Sequence, residues 1–385
     1  MVKTAHRRGA SQRQVAREFG VALSTLQHWL KYADGQRLDR VDWSGRRPGP
    51  SKPTNKTSQE MEDLVLTVRR ELKETSALGE YGAQAILAEL QRRTVTAAPA
   101  LRTIGRILDR RGALDGRKRT RRPAPPSGWY LKDARSRKVE LDSFDIVEGL
   151  VIQGGYGVEV LNGISLHGGL PASWPRAKTT AKSVINALVC HWRQFGLPAF
   201  AQFDNDTVFQ GGHVHPDTIG RVIRLCLSLE VTPVFAPPRE NGFQASIESF
   251  NGRWQAKVWS RFHFETRAAL QQQSDKYIRA CRRRQADRIE SAPARRSFPS
   301  EWALDLQQLA PGKIIFLRRT NDQGRAQLLG HVFTVDRAWP HRLVRAEVDL
   351  KHHRIRFYAL RRREPTYQPL LSEVSHTIPK RRFKE

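Results

Sequence analysis

The spacing of apolar residues changes period along this chain, and the changes mark out its parts. In residues 11–30, SQRQVAREFGVALSTLQHWL, Val15, Ala16 and Phe19 recur at helical spacing, Gly20 permits a tight turn, and Leu26, Trp29 and Leu30 give a following helix its buried face. This is the layout of a helix-turn-helix within residues 1–43. Ser24, Gln27 and His28 fall on the open side of its second helix, toward a DNA major groove, although a plain helical hairpin shares the pattern. Residues 44–57, SGRRPGPSKPTNKT, read as a linker. From 58 to 113 three helical stretches follow, carried by Leu64, Val65 and Val68, then Ile86, Leu87 and Leu90, then Leu101, Ile104, Ile107 and Leu108. Pro99 before the third stretch and Gly112 after it bracket a second helix-turn-helix-like domain.

Beyond a Pro- and Arg-rich stretch at 114–138, short apolar runs alternate with helical ones, as an α/β layer fold demands. Strands are expected at 139–147 and 158–166, with a third near Ile152 or Leu170. A helix over 178–195 carries Ala181, Val184, Ile185, Leu188 and Trp192 on one face. A short buried strand at 199–203 ends at Asp204. Ile219, Val222, Ile223 and Cys226 mark another helix, 231–236 another strand, and the turn PPRENG leads into a helix bearing Glu248. Residues 139–295 thus form a central α/β core. Later runs at 314–316, 328–335, 343–348 and 355–360, separated by the turns NDQG, AWPH and DLKHH, predict a small all-β domain of SH3-like barrel size over 310–365, with a basic tail at 366–385.

Charge narrows the partners. Sixty-six Lys and Arg against 38 Asp and Glu leave a net charge of +28, so a polyanion is the default ligand, and double-stranded DNA fits the helical readers. A membrane is disfavoured, because no run of about 18 apolar residues and no basic-then-apolar leader occurs. Arg102, Arg106 and Arg110 line the polar face of the third helix in 58–113. Arg117, Lys118, Arg119, Arg121 and Arg122 precede a PAPP interruption that keeps the segment extended, suited to tracking phosphates. The three cysteines, Cys190, Cys226 and Cys281, lie far apart, which argues against zinc ribbons, redox pairs and disulfide frameworks.

The candidate chemistry rests on three acids: Asp142 in VELDSFDIVEG, Asp204 in PAFAQFDNDTVF and Glu248 in PPRENGFQASIESFNGRW. In-line phosphoryl displacement by two metal ions roughly 3.5–4 Å apart needs carboxylates from more than one chain segment. Hard oxygen ligands suit Mg2+ or Mn2+. Each acid has a competitor. Asp145 shares the first strand with Asp142 at opposite parity, so without a bulge only one of them faces the site. Asp206 lies two residues after Asp204, and Glu240 lies in the turn before Glu248. Asn251 shares the helical face of Glu248 and is a candidate DNA contact, as is Lys257. His167, His213 and His215 lack cysteine neighbours and read as ordinary loop histidines rather than metal ligands.

The order of helix-turn-helix, Leu-Asp strand, Phe-Asp-Asn strand end, Pro-x-x-x-Asn-Gly and Ile-Glu-Ser-Phe-Asn resembles the insertion-sequence transposases that share a retroviral-integrase-type catalytic core. The resemblance implies a ribonuclease H-like core with a D,D,E triad and Mg2+ or Mn2+. It favours Asp142, Asp204 and Glu248 as catalytic and metal-binding residues. It further implies cleavage and strand transfer at transposon ends, a homo-oligomer on DNA, and a cytoplasmic, chromosome-associated prokaryotic protein. The sequence departs from the pattern at Asp206, where glycine is usual, and at Asn162, where an Asp is common. Sixty-one residues lie between Asp142 and Asp204 and 43 between Asp204 and Glu248, and the longer second gap implies an insertion around GGHVHPD. Two rival readings are a catalytically inactive DNA-binding protein derived from a transposase and a plain nuclease of the same fold.

Overall fold

A computed structural model describes residues 1–5, 11–43, 57–114, 128–212, 215–240, 242–379 and 382–383. They divide into two compact units, Met1–Glu62 and Asp63–Glu385. In the first, α1 (Val2–Ala5), α2 (Gln12–Glu18) and α3 (Leu23–Ala33) are held together by Val15, Ala16 and Leu26. Gly20 takes φ +62° in the turn between α2 and α3. Ser24, Gln27 and His28 are exposed on α3. Phe19, expected on the buried face, is 46% exposed because the helix ends before it.

Next come α4 (Gln59–Thr75), α5 (Ala83–Arg92) and α6 (Leu101–Arg110). Val65, Val68, Ile86, Leu90, Ile104, Ile107 and Leu108 form their common core, and Gly112 stops α6 at φ +63°. Leu101 opens α6 and stays exposed, and so do Arg102 and Arg106. This helical group is fastened to the α/β core within the second unit. Arg261 donates to the carbonyls of Lys73 and Glu74, each at 2.8 Å, and Lys257 donates to Gly79 O at 2.9 Å. The linker 44–57 lies almost wholly outside the described residues, as do Arg117, Lys118, Arg119, Arg121, Arg122 and His213.

After α7 (Lys132–Arg135) the α/β core begins. Its strands are β1 (Leu141–Ile152), β2 (Tyr156–Ser165), β3 (Pro171–Arg176), β4 (Phe200–Phe203) and β5 (Thr232–Phe235). They lie in the order β3-β2-β1-β4-β5, with β1–β2 and β2–β3 antiparallel and β1–β4 and β4–β5 parallel, the arrangement expected of a ribonuclease H-like core. Helices cover both faces, so apolar residues do not alternate cleanly along the strands. On one face α8 (Ala181–Phe195), α9 (Thr207–Gln210) and α10 (Arg221–Ser228) pack over Phe144, Ala201, Phe203 and Phe235. A capping box between Thr180 and Ser183 fixes where α8 starts. On the other face α11 (Ala245–Lys257) and α12 (Arg267–Arg284), followed by α13 (Ala286–Glu290), set Ile247, Phe250, Trp254 and Leu270 against Val147, Val160 and Ile164.

The C-terminal strands do not stand apart as a barrel. They are β6 (Lys313–Arg319), β7 (Arg325–Leu328), β8 (His331–Thr334), β9 (Leu343–Asp349), β10 (Arg354–Ala359) and β11 (Leu370–Ser375). β6 pairs in parallel with β5, matching Val234 with Ile315, and β9, β10 and β11 extend the same sheet to nine strands. Ile314, Phe316, Val344, Ala346 and Phe357 join the core that also holds Phe203 and Trp192, which is the physical reason the strands annex the sheet rather than close on themselves. β7 and β8 form a separate two-stranded ribbon. Residues 370–375, expected within a basic tail, are the edge strand β11.

Candidate active site

The orientation of β1 decides between its two acids. Phe144 lies in the core under α8, whereas Val147 lies in the core under α11, so even and odd positions before the bulge at Val147–Leu150 face opposite helical layers. Asp142 points to the α8 side. Its carboxylate is 2% exposed and closed by Arg295, at 2.5 Å and 3.0 Å, and by Trp192 Nε1 at 3.1 Å. Burial pushes this carboxyl up, but the paired Arg295 guanidinium outweighs it and holds it below the usual range. Asp142 is therefore held in a buried ion pair on the α8 side of the sheet, and strand parity sets Asp145 on the opposite side.

Asp145 faces α11. It sits opposite Asn162 in the β1–β2 register and accepts a 2.7 Å hydrogen bond from Asn251 Nδ2; Asn251 in turn accepts from Asn162 Nδ2 at 2.9 Å. Asn251 is thus a buried brace between β1, β2 and α11. Burial, then the charge of Asp204, then that of Glu248 push Asp145 up to about 6. Asp204 and Glu248 thus both act electrostatically on Asp145.

Asp204 follows β4, whose parallel register with β1 matches Ser143 with Gln202. The backbone N–H of Asp206 donates to Asp204 Oδ1 at 3.0 Å, so only one of its two oxygens is tied. Burial raises Asp204 as well, with Asp206 and Glu148 adding to the effect. Asp206 itself caps α9 by accepting from Val208 N at 2.7 Å. Glu248 lies in the first turn of α11 and is exposed, while Glu240 is engaged by Arg319.

A buried chain of hydrogen bonds links the segments that carry Asp204 and Glu248. Ser143 Oγ donates to Gln202 Oε1 at 2.9 Å, and Gln202 Nε2 donates to Tyr130 Oη at 2.7 Å and to Phe243 O at 3.1 Å. Gln202 precedes Asp204 on β4 and Phe243 precedes Glu248 at the entry to α11, so this chain ties the two carriers together. Trp254 anchors α11 through a 2.9 Å bond from Nε1 to Ser274 Oγ.

Other expected contacts are placed as follows. Lys257 donates to Gly79 O at 2.9 Å and lies 5.6 Å from the centroid of the Tyr81 ring. His167 is buried with Nε2 2.7 Å from Ala134 O, and His215 is exposed. Asp145 and Asp204 are both raised chiefly by burial, and with Glu248 they offer only carboxylate oxygens, the donor type that suits Mg2+ or Mn2+. Among the described residues, no helix is long and apolar enough to cross a membrane.

No family model matches the chain and no curated protein matches it. Among solved structures it is similar to a simian T-cell lymphotropic virus intasome in complex with PP2A regulatory subunit B56 gamma, at 10% identity over 68% of this chain and 84% of that one, with a TM-score of 0.35. It is also similar to the HTLV-2 integrase catalytic core domain in complex with magnesium, in its trimeric form, at 13% identity over 41% and 86%, TM-score 0.28. The BIV integrase catalytic core matches at 16% identity over 36% and 80%, TM-score 0.26.

Proposed function

We propose that this chain is a metal-dependent polynucleotidyl transferase of the transposase type, with Asp145, Asp204 and Glu248 as its catalytic carboxylates. The observation that carries the reading is Asp145 itself: a half-buried acid on β1 that faces α11 opposite Asn162, raised first by desolvation and then by the charges of Asp204 and Glu248, which come from two other segments. Bound Mg2+ or Mn2+ supplies activation of the attacking oxygen and neutralisation of charge on the transferred phosphate. The chain's own part is positioning. Asn251 orients Asp145, the Asp206 amide holds one oxygen of Asp204, and exposed Glu248 closes the set from α11. Ser24, Gln27 and His28 on α3 and Arg102 and Arg106 on α6 read and hold double-stranded DNA, the basic residues 117–122 follow its phosphates, and two or more copies of the chain pair the ends.

The test uses the full chain with Mg2+ and duplexes carrying the inverted repeats that flank its coding region. Wild type is expected to nick the repeat end and join the freed 3′-hydroxyl to a second duplex, and Asp204→Asn to do neither. Nicking without joining makes the protein a nuclease, and equal behaviour of wild type and Asp204→Asn removes the catalytic reading. Asn251→Ala deprives Asp145 of a hydrogen bond that favours its charged form. The acidic limb of the pH–rate profile is therefore expected to move upward, by on the order of one pH unit.

A further inference from the structure

Away from the carboxylates, three side chains from separate segments converge. Asp217 lies in the turn between α9 and α10, His331 opens β8, and His376 follows β11. His331 Nε2 is 3.1 Å from Asp217 Oδ2 and His376 Nε2 is 2.8 Å from Asp217 Oδ1, and one donor atom from each of the three lies within 4.8 Å of the others. The rings are 5.2 Å apart, and Phe333 packs against both at 5.9 Å and 5.4 Å.

Two features favour an ion at this cluster. The first is donor convergence. Both imidazoles turn Nε2 toward the one carboxylate, at 3.1 Å and 2.8 Å, hydrogen-bond separations a little inside the edge of roughly 3.3 Å that a tetrahedron with ligand bonds near 2.0–2.1 Å requires. The second is a backbone held in place from several sides. Asp217 sits at φ +61° with its N–H donating to Leu329 O at 2.9 Å, while Leu329 and Gly330 themselves take φ +52° and +77°. A Cβ on Gly330 would come within 2.8 Å of Pro216 Cα, so the turn of the β7–β8 ribbon is pressed directly onto the Asp217 loop. That ribbon has only four residues per strand, a size that needs outside support.

We propose that Asp217, His331 and His376 form a zinc site, distinct from the catalytic carboxylates, that clips the Asp217 loop, the β7–β8 ribbon and the end of β11 together. Two imidazoles and one carboxylate are a donor set for Zn2+, whereas the all-oxygen catalytic set suits Mg2+. Three protein ligands leave a fourth position for water, and His331, 38% exposed against 13% for His376, gives the ion its route in from solvent. Phe333 supplies an apolar wall that strengthens the metal–ligand bonds. The clip braces one side of a cavity whose lining runs from His215, Thr218 and Gly330 to Asn205, the neighbour of Asp204.

The experiment strips the full chain with a chelator and titrates it with Zn2+ against a chromophoric zinc indicator in excess Mg2+, with Co2+ absorption as a second readout. One equivalent is expected to bind both wild type and the Asp145→Asn/Asp204→Asn double variant, with tetrahedral Co2+ bands in each. His331→Gln, at a half-exposed position the fold tolerates, is expected to bind at least roughly tenfold more weakly and to lose the bands. Equal binding by His331→Gln, loss of the equivalent in the double variant, or no equivalent in wild type would each overturn the site.

Discussion

Asp145→Asn is expected to abolish Mg2+-dependent cleavage and joining, by on the order of a thousandfold or more, and at the same time to raise thermal stability at neutral pH. Both effects follow from the environment of one carboxyl. Burial and the charges of Asp204 and Glu248 raise it from 3.8 to about 6, so above pH 6 the folded protein holds a charge that the unfolded chain carries more easily. At 1.36 kcal/mol per unit the native state bears a penalty of up to about 3 kcal/mol. The penalty is fully present above the folded value and vanishes below the unfolded one. Stability from this group therefore increases as pH falls through 6, and the advantage of Asp145→Asn shrinks over the same interval. Mg2+ relieves the same repulsion, so wild type gains melting temperature from Mg2+ at pH 8 and Asp145→Asn gains less. Thermal melts from pH 5 to pH 8, with and without Mg2+, read all three effects.

Asp142→Ala is expected to act in the opposite sense, costing about 3–5 kcal/mol of folding stability. Its removal strands the Arg295 guanidinium, 13% exposed, without its bidentate partner, and takes an acceptor from Trp192 Nε1. Because the folded carboxyl lies below its usual range, this stabilisation is present above the unfolded value and is lost as pH falls through the folded one. The two acids on β1 thus give opposite pH dependences. Replacing the pair together, as Asp142→Leu with Arg295→Met, is expected to recover most of the loss, since a well-packed apolar pair avoids the desolvation cost. Urea unfolding midpoints of the single and double variants measure this directly.

Most helices were legible because their apolar residues keep a 3.6-residue period, as Ile104, Ile107 and Leu108 do in α6. The choice between Asp142 and Asp145 was not legible. Both faces of β1 are covered, so Phe144 and Val147 are equally apolar while facing different layers, and the partner that neutralises Asp142 comes from residue 295. Parity alone said that one acid must be wrong. The packing of Ile247 and Phe250 of α11 against Val147 rather than Phe144 is what favours Asp145 in the proposal. Strand runs such as 314–316 look the same whether they close a barrel or extend a sheet, because period two reports burial on a face and not the identity of the neighbouring strand. His331 and His376 were silent for a similar reason: they are remote in sequence, and the fold alone brings them to Asp217.

The most direct measurement is the rate of Mg2+-dependent nicking and joining of terminal-repeat DNA per mole of folded protein, compared between Asp145→Asn and Asp142→Asn. Folded Asp145→Asn is expected to be inactive, while the folded fraction of Asp142→Asn retains activity within about tenfold of wild type. Activity retained by Asp145→Asn, with a folded but inactive Asp142→Asn, would instead make Asp142 the catalytic acid of β1.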